Sequence, residues 1–271
     1  MLFGQHPDGL VFAGSRGNCQ LDESQTSAGG DHGSEAKKGK QDSFDLQVPP
    51  VTLKSLPRNI FVDQKNFWAA PFHMTQSQWQ WTVPLAFLGA GLLASDTAIE
   101  KHVPASSSTA SSAVTASNAG IAAMAGLGAG MYLWGYATGR DEPRETGLLA
   151  GQAGIDAFLE TEVFKYMFGR ERPFTGDNKG KFFQDGTSFP SEHAAASWAI
   201  ASVIAHEYSG PITQFLAYGA ASGVSIARIV GHQHFATDVL VGSGLGWYTG
   251  RQVHHGREDQ PQADRKPRTG L

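Results

Sequence analysis

The sequence has little cysteine and few charged residues. Only one of its 271 residues is a cysteine, and Asp, Glu, Lys and Arg together make up 17%, below the usual quarter or so. Because a disulfide needs two thiols and a thiolate metal site needs several, Cys19 forms neither within the chain. The formal net charge of -4 argues against nucleic-acid binding, which requires a basic surface.

Both ends of the chain lack a hydrophobic pattern. Residues 29–40 are polar and small, and the last residues mix charges with prolines. Such segments bury too little apolar surface to offset the entropy lost on ordering. We therefore predict a disordered polar leader over 1–50, a folded domain over 51–255 and a disordered tail over 256–271. No signal peptide is visible, because the first residues lack a basic part followed by an apolar one.

Between these ends the sequence is typical of an all-α protein, since alanine is abundant and strand-like alternation is scarce. We predict a bundle of about six helices, over 76–100, 112–139, 144–170, 191–208, 211–230 and 235–253. Pro173 follows the third, because proline cannot continue a helix. Ser191 is a natural N-cap for the fourth, and Pro211 suits the first turn of the fifth.

The charge-poor segment 103–139 raises the question of a membrane span. Residues 119–139 have the length of a span but are rich in Gly and Ala, and residues 81–95 are apolar but short. They are either weak spans packed through small residues or closely packed helices of a soluble bundle. The sequence leaves both interpretations open.

Two short stretches in the second half suit an anion. Lys165 and Arg172 are seven residues apart, about two helical turns, so both cations can project from one helix face. Ser191 begins a helix whose free backbone N–H groups and positive dipole end favour an anion, with His193 in its first turn. Each stretch alone also fits a structural role, as cations near a helix C-terminus or as an ordinary cap.

A third stretch contains Arg228, His234 and Asp238. The last two are four residues apart, so on a helix the carboxylate can accept a hydrogen bond from one ring nitrogen of His234 and leave the other as a nucleophile or base. A lone pair of this kind can also be structural, and His232 with His234 lacks a third metal ligand at a suitable spacing. Taken together, the three stretches combine arginines, a lysine, a helix N-terminus and histidines, which suits a phosphate and requires no metal.

These stretches resemble the signature of the type 2 phosphatidic acid phosphatase and vanadium haloperoxidase superfamily, in its bacterial phosphatase branch. That signature is K-x6-R-P, P-S-G-H and S-R-x5-H-x3-D. Lys165 with Arg172 and Pro173 fits the first block, and residues 190–193 fit the second with one change. Arg228, His234 and Asp238 fit the third at the same spacing. The resemblance implies a helical bundle like that of the acid phosphatases and haloperoxidases.

The resemblance also implies a role for each matched residue. His234 is expected to be the nucleophile that forms a phosphohistidine, Asp238 its orienting partner and His193 the general acid. The residues expected to bind the phosphate are Lys165, Arg172, Ser191, Glu192 and Arg228. No metal or other cofactor is expected, and vanadate is expected to inhibit.

Two residues depart from the family pattern. Glu192 stands where the family has Gly, and Ala227 stands where it has Ser. A carboxylate within ~4–6 Å of a bound anion should weaken its binding or shift the pH optimum through His193. Alternatively, Glu192 points outward from the first helical turn, where a carboxylate is favoured.

We expect a metal-independent phosphatase that hydrolyses phosphate monoesters, with a lipid phosphate such as phosphatidic acid or an isoprenoid diphosphate favoured over small phosphate esters. It is expected at the membrane or cell envelope, on the periplasmic face, in contact with the membrane and with no nucleic-acid partner. Two alternatives stay open. One is a vanadate-dependent haloperoxidase with vanadate as cofactor, and the other is a non-catalytic phosphate- or lipid-binding protein disabled by Glu192.

Overall fold

The computed structural model describes residues 52–104 and 106–258, and every regular element in these ranges is helical. A short 3-10 helix, Ala70–His73, follows the first of the α-helices. The all-α prediction is therefore confirmed for this part of the chain. The predicted leader over 1–50 and the tail beyond residue 258 lie outside the described residues. The α-helices are α1 (Leu56–Ala69), α2 (Gln76–Glu100), α3 (Ser107–Thr138), α4 (Asp141–Phe168), α5 (Glu192–Glu207), α6 (Pro211–Val230) and α7 (Ala236–Glu258).

The helices differ from the prediction chiefly at three places. Helix α1 was not predicted, and it meets α4 partly through polar contacts such as Gln64 Nε2 to Asp156 Oδ1 at 3.1 Å. Helix α4 ends before Pro173 is reached, because Gly169 adopts a left-handed conformation with φ 48° that caps the helix. Helix α7 continues through residues 256–258, which were assigned to the tail.

Helix α5 lies at the centre of the bundle and packs against α3, α4, α6 and α7. Its buried face is rich in alanine, with Ala195 and Ala199 fully inaccessible to solvent. A Cβ added to Gly246 or Gly250 of α7 would collide with the backbone carbonyl of Ala195 or Ala199. The small residues of both helices therefore allow the close approach of α7 to α5.

One helical segment among the described residues, Thr82–Glu100, is long and apolar enough to cross a membrane, and only 6% of that window is buried. Near its end, Asp96 is nearly inaccessible and accepts hydrogen bonds from the backbone and hydroxyl of Thr237 at 3.0 and 2.8 Å. This apolar segment is therefore anchored to the start of α7.

The ends of four helices converge on one side of the bundle. The last turns of α4 and α6 carry Lys165 and Arg228, and the first turns of α5 and α7 carry His193 and Asp238. Cations are stabilised at helix C-termini, and helix N-termini present free N–H groups to anions. The fold thus concentrates positive potential where the motif residues meet.

Candidate active site

The imidazole of His234 is fully buried in the turn between α6 and α7. Its Nδ1–H donates to the carbonyl of Ser188 at 2.6 Å, so Nε2 carries the lone pair in the neutral ring. Arg228 Nη2 lies 3.5 Å from Nε2. Burial, and then the charge of Arg228, hold the pKa of His234 well below its usual value. The ring is therefore unprotonated and of fixed orientation, with Nε2 available as a nucleophile or base.

The expected direct hydrogen bond between Asp238 and His234 is wrong in this structure. Asp238 Oδ1 accepts from Arg170 at 2.5 Å, and Oδ2 accepts from the Ser188 hydroxyl at 2.6 Å and from the backbone of Phe235 at 2.9 Å. Because Asp238 begins α7 while His234 precedes that helix, the two are not neighbours on a helix face. Asp238 instead holds Ser188, whose carbonyl orients His234. Burial raises the pKa of Asp238 to about 6, with Arg170 opposing the rise, so the carboxylate is ionised at neutral pH.

Arg170 forms a buried hub beneath the site. It is 2% exposed, and its two terminal nitrogens contact Asp238 and Asp96, the latter at 2.8 Å. Its guanidinium also lies 4.4 Å from the centre of the Phe235 ring and 4.9 Å from that of Phe182. One positive charge thus faces two buried carboxylates, whose other hydrogen bonds come from Ser188 and Phe235 to Asp238 and from Thr237 to Asp96.

Three cations lie near the unprotonated Nε2 of His234. Lys165 and Arg228 are buried, and Arg172 is half-buried and donates to Gln233 Oε1 at 2.9 Å. Among the described residues, the buried Nε atoms of Arg172 and Arg228 lack a hydrogen-bond partner. Burial is the main cause that lowers the pKa of each cation, to about 10 for Arg228. Spare buried donors of this kind suit an oxyanion.

His193 lies in the first turn of α5, whose N-cap Ser191 accepts from the backbone of Ala194 at 3.5 Å. The ring nitrogen Nε2 donates to Asn118 Oδ1 of α3 at 3.0 Å. Burial, followed by the charges of Arg228, Lys165 and Arg172, lowers the pKa of His193 to about 4. The ring is therefore neutral at pH 7 until an anion offsets these cations.

Glu192 lies within the site, so the first of the two alternatives considered for its carboxylate is found and the outward one is not. Its side chain is 19% exposed and forms an ion pair with Lys165. Its other oxygen lies 3.4 Å from His193 Nδ1. The carboxylate therefore stands among the groups expected to bind phosphate.

All the residues singled out by the motifs meet at this end of the bundle, but several of their partners were not predicted. Arg170 lies inside the first motif and Ser188 just before the second, so their positions offered a weak signal. Asp96 and Asn118 lie far away in the sequence and offered none. Within residues 52–104 and 106–258, no group of three or more His, Cys, Asp or Glu side chains is arranged to hold a metal ion.

The segment that holds these residues is similar to known proteins. Residues 146–261 match the model of the PAP2 superfamily, so the resemblance carried by the motifs is confirmed. A lipid A 1-phosphatase of Porphyromonas gingivalis is 38% identical over 91 residues, which cover 32% of this chain and 18% of that protein. The crystal structure of a transmembrane PAP2-type phosphatidylglycerolphosphate phosphatase from Bacillus subtilis matches with a TM-score of 0.46 and 23% identity, covering 77% of this chain and 99% of that one.

Because neighbouring cations lower the pKa of His193, removing one of them should change this pKa measurably. We expect Arg228→Met to raise the pKa of His193 above about 4, because Arg228 is the strongest cause of its lowering after burial. The pKa should stay below 6.5, because burial persists. A pH titration of the ring resonances by NMR measures the shift. Arg144→Met, which removes a surface arginine paired with Asp141, should leave the titration unchanged, and an equal pKa in the wild type and Arg228→Met would contradict the account.

Proposed function

We propose that this protein is a phosphatase that hydrolyses phosphate monoesters through a phosphohistidine on His234, without a metal ion. The observation that carries the proposal is the arrangement around His234 Nε2. The Ser188 carbonyl keeps this nitrogen unprotonated, and it faces Arg228 in a pocket lined by further cations. A neutral nucleophile among buried cations is what attack on an anionic phosphorus requires.

The first step transfers the phosphoryl group to the protein. The lone pair of His234 Nε2 forms a bond to phosphorus while the bond from phosphorus to the ester oxygen breaks. That oxygen takes a proton from His193 and leaves as an alcohol. Lys165, Arg172 and Arg228 stabilise the charge on the oxygens that do not leave, with the N-terminus of α5 contributing backbone N–H groups.

The second step regenerates the nucleophile. A water molecule attacks the phosphorus of the phosphohistidine and gives one proton to His193. The phosphorus–nitrogen bond breaks, and its electron pair returns to His234 Nε2. Inorganic phosphate leaves, and His193 again carries the proton it needs for the next leaving group.

The low pKa of His193 is compatible with its role as an acid, because the substrate itself brings compensating charge. A phosphate bound beside the three cations offsets the repulsion that they exert on the imidazolium. The pKa of His193 is thus higher in the complex than in the free site. Anion binding is therefore accompanied by proton uptake at His193. The affinity for the anion increases as the pH falls below the pKa of His193 in the complex, and it stops increasing below the pKa of about 4 that His193 has in the free site. Vanadate, as an anion of similar shape, should compete.

We propose a lipid phosphate as substrate and the membrane as location. The apolar segment Thr82–Glu100 is almost wholly unburied, and Asp96 ties its end to the site. Large apolar side chains are exposed on α4 and α6 as well, which is typical of surfaces that contact lipid or another protein. Phe158, Tyr166, Ile212, Phe215 and Leu216 are among these side chains. The relative from Porphyromonas gingivalis is named as a phosphatase of a lipid. Location on the periplasmic face stays a prediction.

The partner of His193 indicates where the leaving group lies. Asn118 of α3 accepts a hydrogen bond from His193 Nε2 at 3.0 Å. We therefore place the alcohol portion of the ester along this part of α3, next to the proposed general acid.

The first test concerns the nucleophile. We expect His234→Ala to lower phosphate release from an aryl phosphate by roughly a thousandfold or more, because the covalent step is lost. His73→Ala, at an exposed histidine far from the motifs, should retain activity. Release of phosphate by the His234→Ala protein at the wild-type rate would contradict the mechanism.

The second test concerns the lipid. We expect the wild-type protein to hydrolyse a long-chain lipid phosphate with a higher kcat/KM than a compact aryl phosphate, because the exposed apolar side chains of α4 and α6 would contact the acyl chains. A kcat/KM for the aryl phosphate equal to or above that for the lipid would contradict the assignment of a lipid substrate.

A further inference from the structure

The carboxylate of Glu192 contacts groups that are expected to act on the phosphate. It is the first residue of α5 after the cap Ser191, and its carboxylate pairs with Lys165 while lying 3.4 Å from His193 Nδ1. Lys165 and His193 are both groups that the proposed reaction uses. The carboxylate thus satisfies, in the ligand-free protein, charges that the substrate would otherwise satisfy.

Lys165 does not depend on Glu192 to fix its position. Its ammonium group also contacts Glu162 Oε1 at 2.7 Å, one turn earlier on α4. The Glu162 side chain is 36% exposed, whereas that of Glu192 is 19% exposed. Lys165 therefore has one carboxylate partner at the outer surface and a second one inside the site.

The arginines explain how a phosphate can replace the inner carboxylate. Nε of Arg172 and Nε of Arg228 are buried without a partner among the described residues, so Glu192 leaves them unused. A phosphate has more charge and more acceptor oxygens than a carboxylate, and it can engage the lysine and the arginines together. A ligand that reaches only the lysine gains nothing over the carboxylate already present.

We propose that Glu192 is an internal counter-anion, which compensates the charge of Lys165 before a phosphate binds and is displaced when it does. This inference rests on the proposed phosphatase function. Glu192 is then a positioning residue that selects ligands able to contact the arginines as well as Lys165. It is neither a disabling substitution nor a direct phosphate ligand.

The test compares Glu192→Gln and Glu192→Gly with the wild type and with Glu162→Gln. We measure the Kd for inorganic phosphate by calorimetry, and KM and kcat for an aryl phosphate. Removing the inner charge should lower the Kd by roughly tenfold, which is the effect of one like charge at this range. KM should fall in the same variants by more than kcat changes. Glu162→Gln, which removes the outer partner of the same lysine, should change the Kd by less than about twofold.

The outcomes separate this inference from the proposed function. Phosphate binding by the wild type that neither Glu192 variant improves would overturn the counter-anion and leave the phosphatase intact. Weaker binding in Glu192→Gln would overturn it in favour of a supporting role. Absence of both binding and activity in every protein would overturn the proposed function and the inference with it. Because Glu192→Gln preserves shape, thermal unfolding close to that of the wild type confirms that the comparison concerns folded protein.

Discussion

The buried ion pair between Arg170 and Asp238 is the interaction on which the site depends. The Asp238 carboxylate accepts hydrogen bonds from Arg170, from the Ser188 hydroxyl and from the backbone N–H of Phe235. The backbone of Ser188 donates in turn to the Arg170 carbonyl at 2.9 Å. Removing one partner of such a pair leaves a buried charge uncompensated, at a typical cost of about 3–5 kcal/mol. The pair therefore fixes Ser188, and the Ser188 carbonyl fixes the imidazole of His234.

The same hub joins the site to the apolar segment in α2. Asp96 accepts from Arg170 and from Thr237 of α7, so one guanidinium connects α2, the start of α7 and the loop after α4. If α2 crosses a membrane as proposed, the site lies at the level of its last turns. A phosphate in that position would be at the border between lipid and water, while its alcohol portion could extend into lipid.

Positive charge serves two functions that oppose each other. The positive charges of Lys165, Arg172 and Arg228 lower the pKa of His234, which favours its proposed role as a nucleophile. The same charges lower the pKa of His193, which disfavours its proposed role as an acid. In the proposed mechanism the negative charge of the bound substrate reconciles the two functions, because it offsets the cations only after the nucleophile has been kept unprotonated. Glu192 adds a negative charge to this balance while the site is empty.

The sequence predicted most of the helices and the meeting of the motif residues, because helix periodicity, Ser191 as a cap and the motif spacing are local signals. It did not predict α1, whose contacts with α4 are partly polar. It also assigned the orientation of His234 to Asp238, since a spacing of four suggests a shared helix face. The structure places His234 before α7, and a backbone carbonyl takes that role. The sequence did not predict Asp96 and Asn118 as partners of site residues, because only long-range packing brings them to the site.

The central claim is that the phosphoryl group passes through His234. Rapid quenching of the protein with substrate, followed by mass spectrometry under alkaline conditions, locates any phosphoryl group on the chain. The account predicts an acid-labile phosphoryl group on His234 that disappears as phosphate is released. Turnover in which the phosphoryl group is found on another residue, or on none, would contradict it.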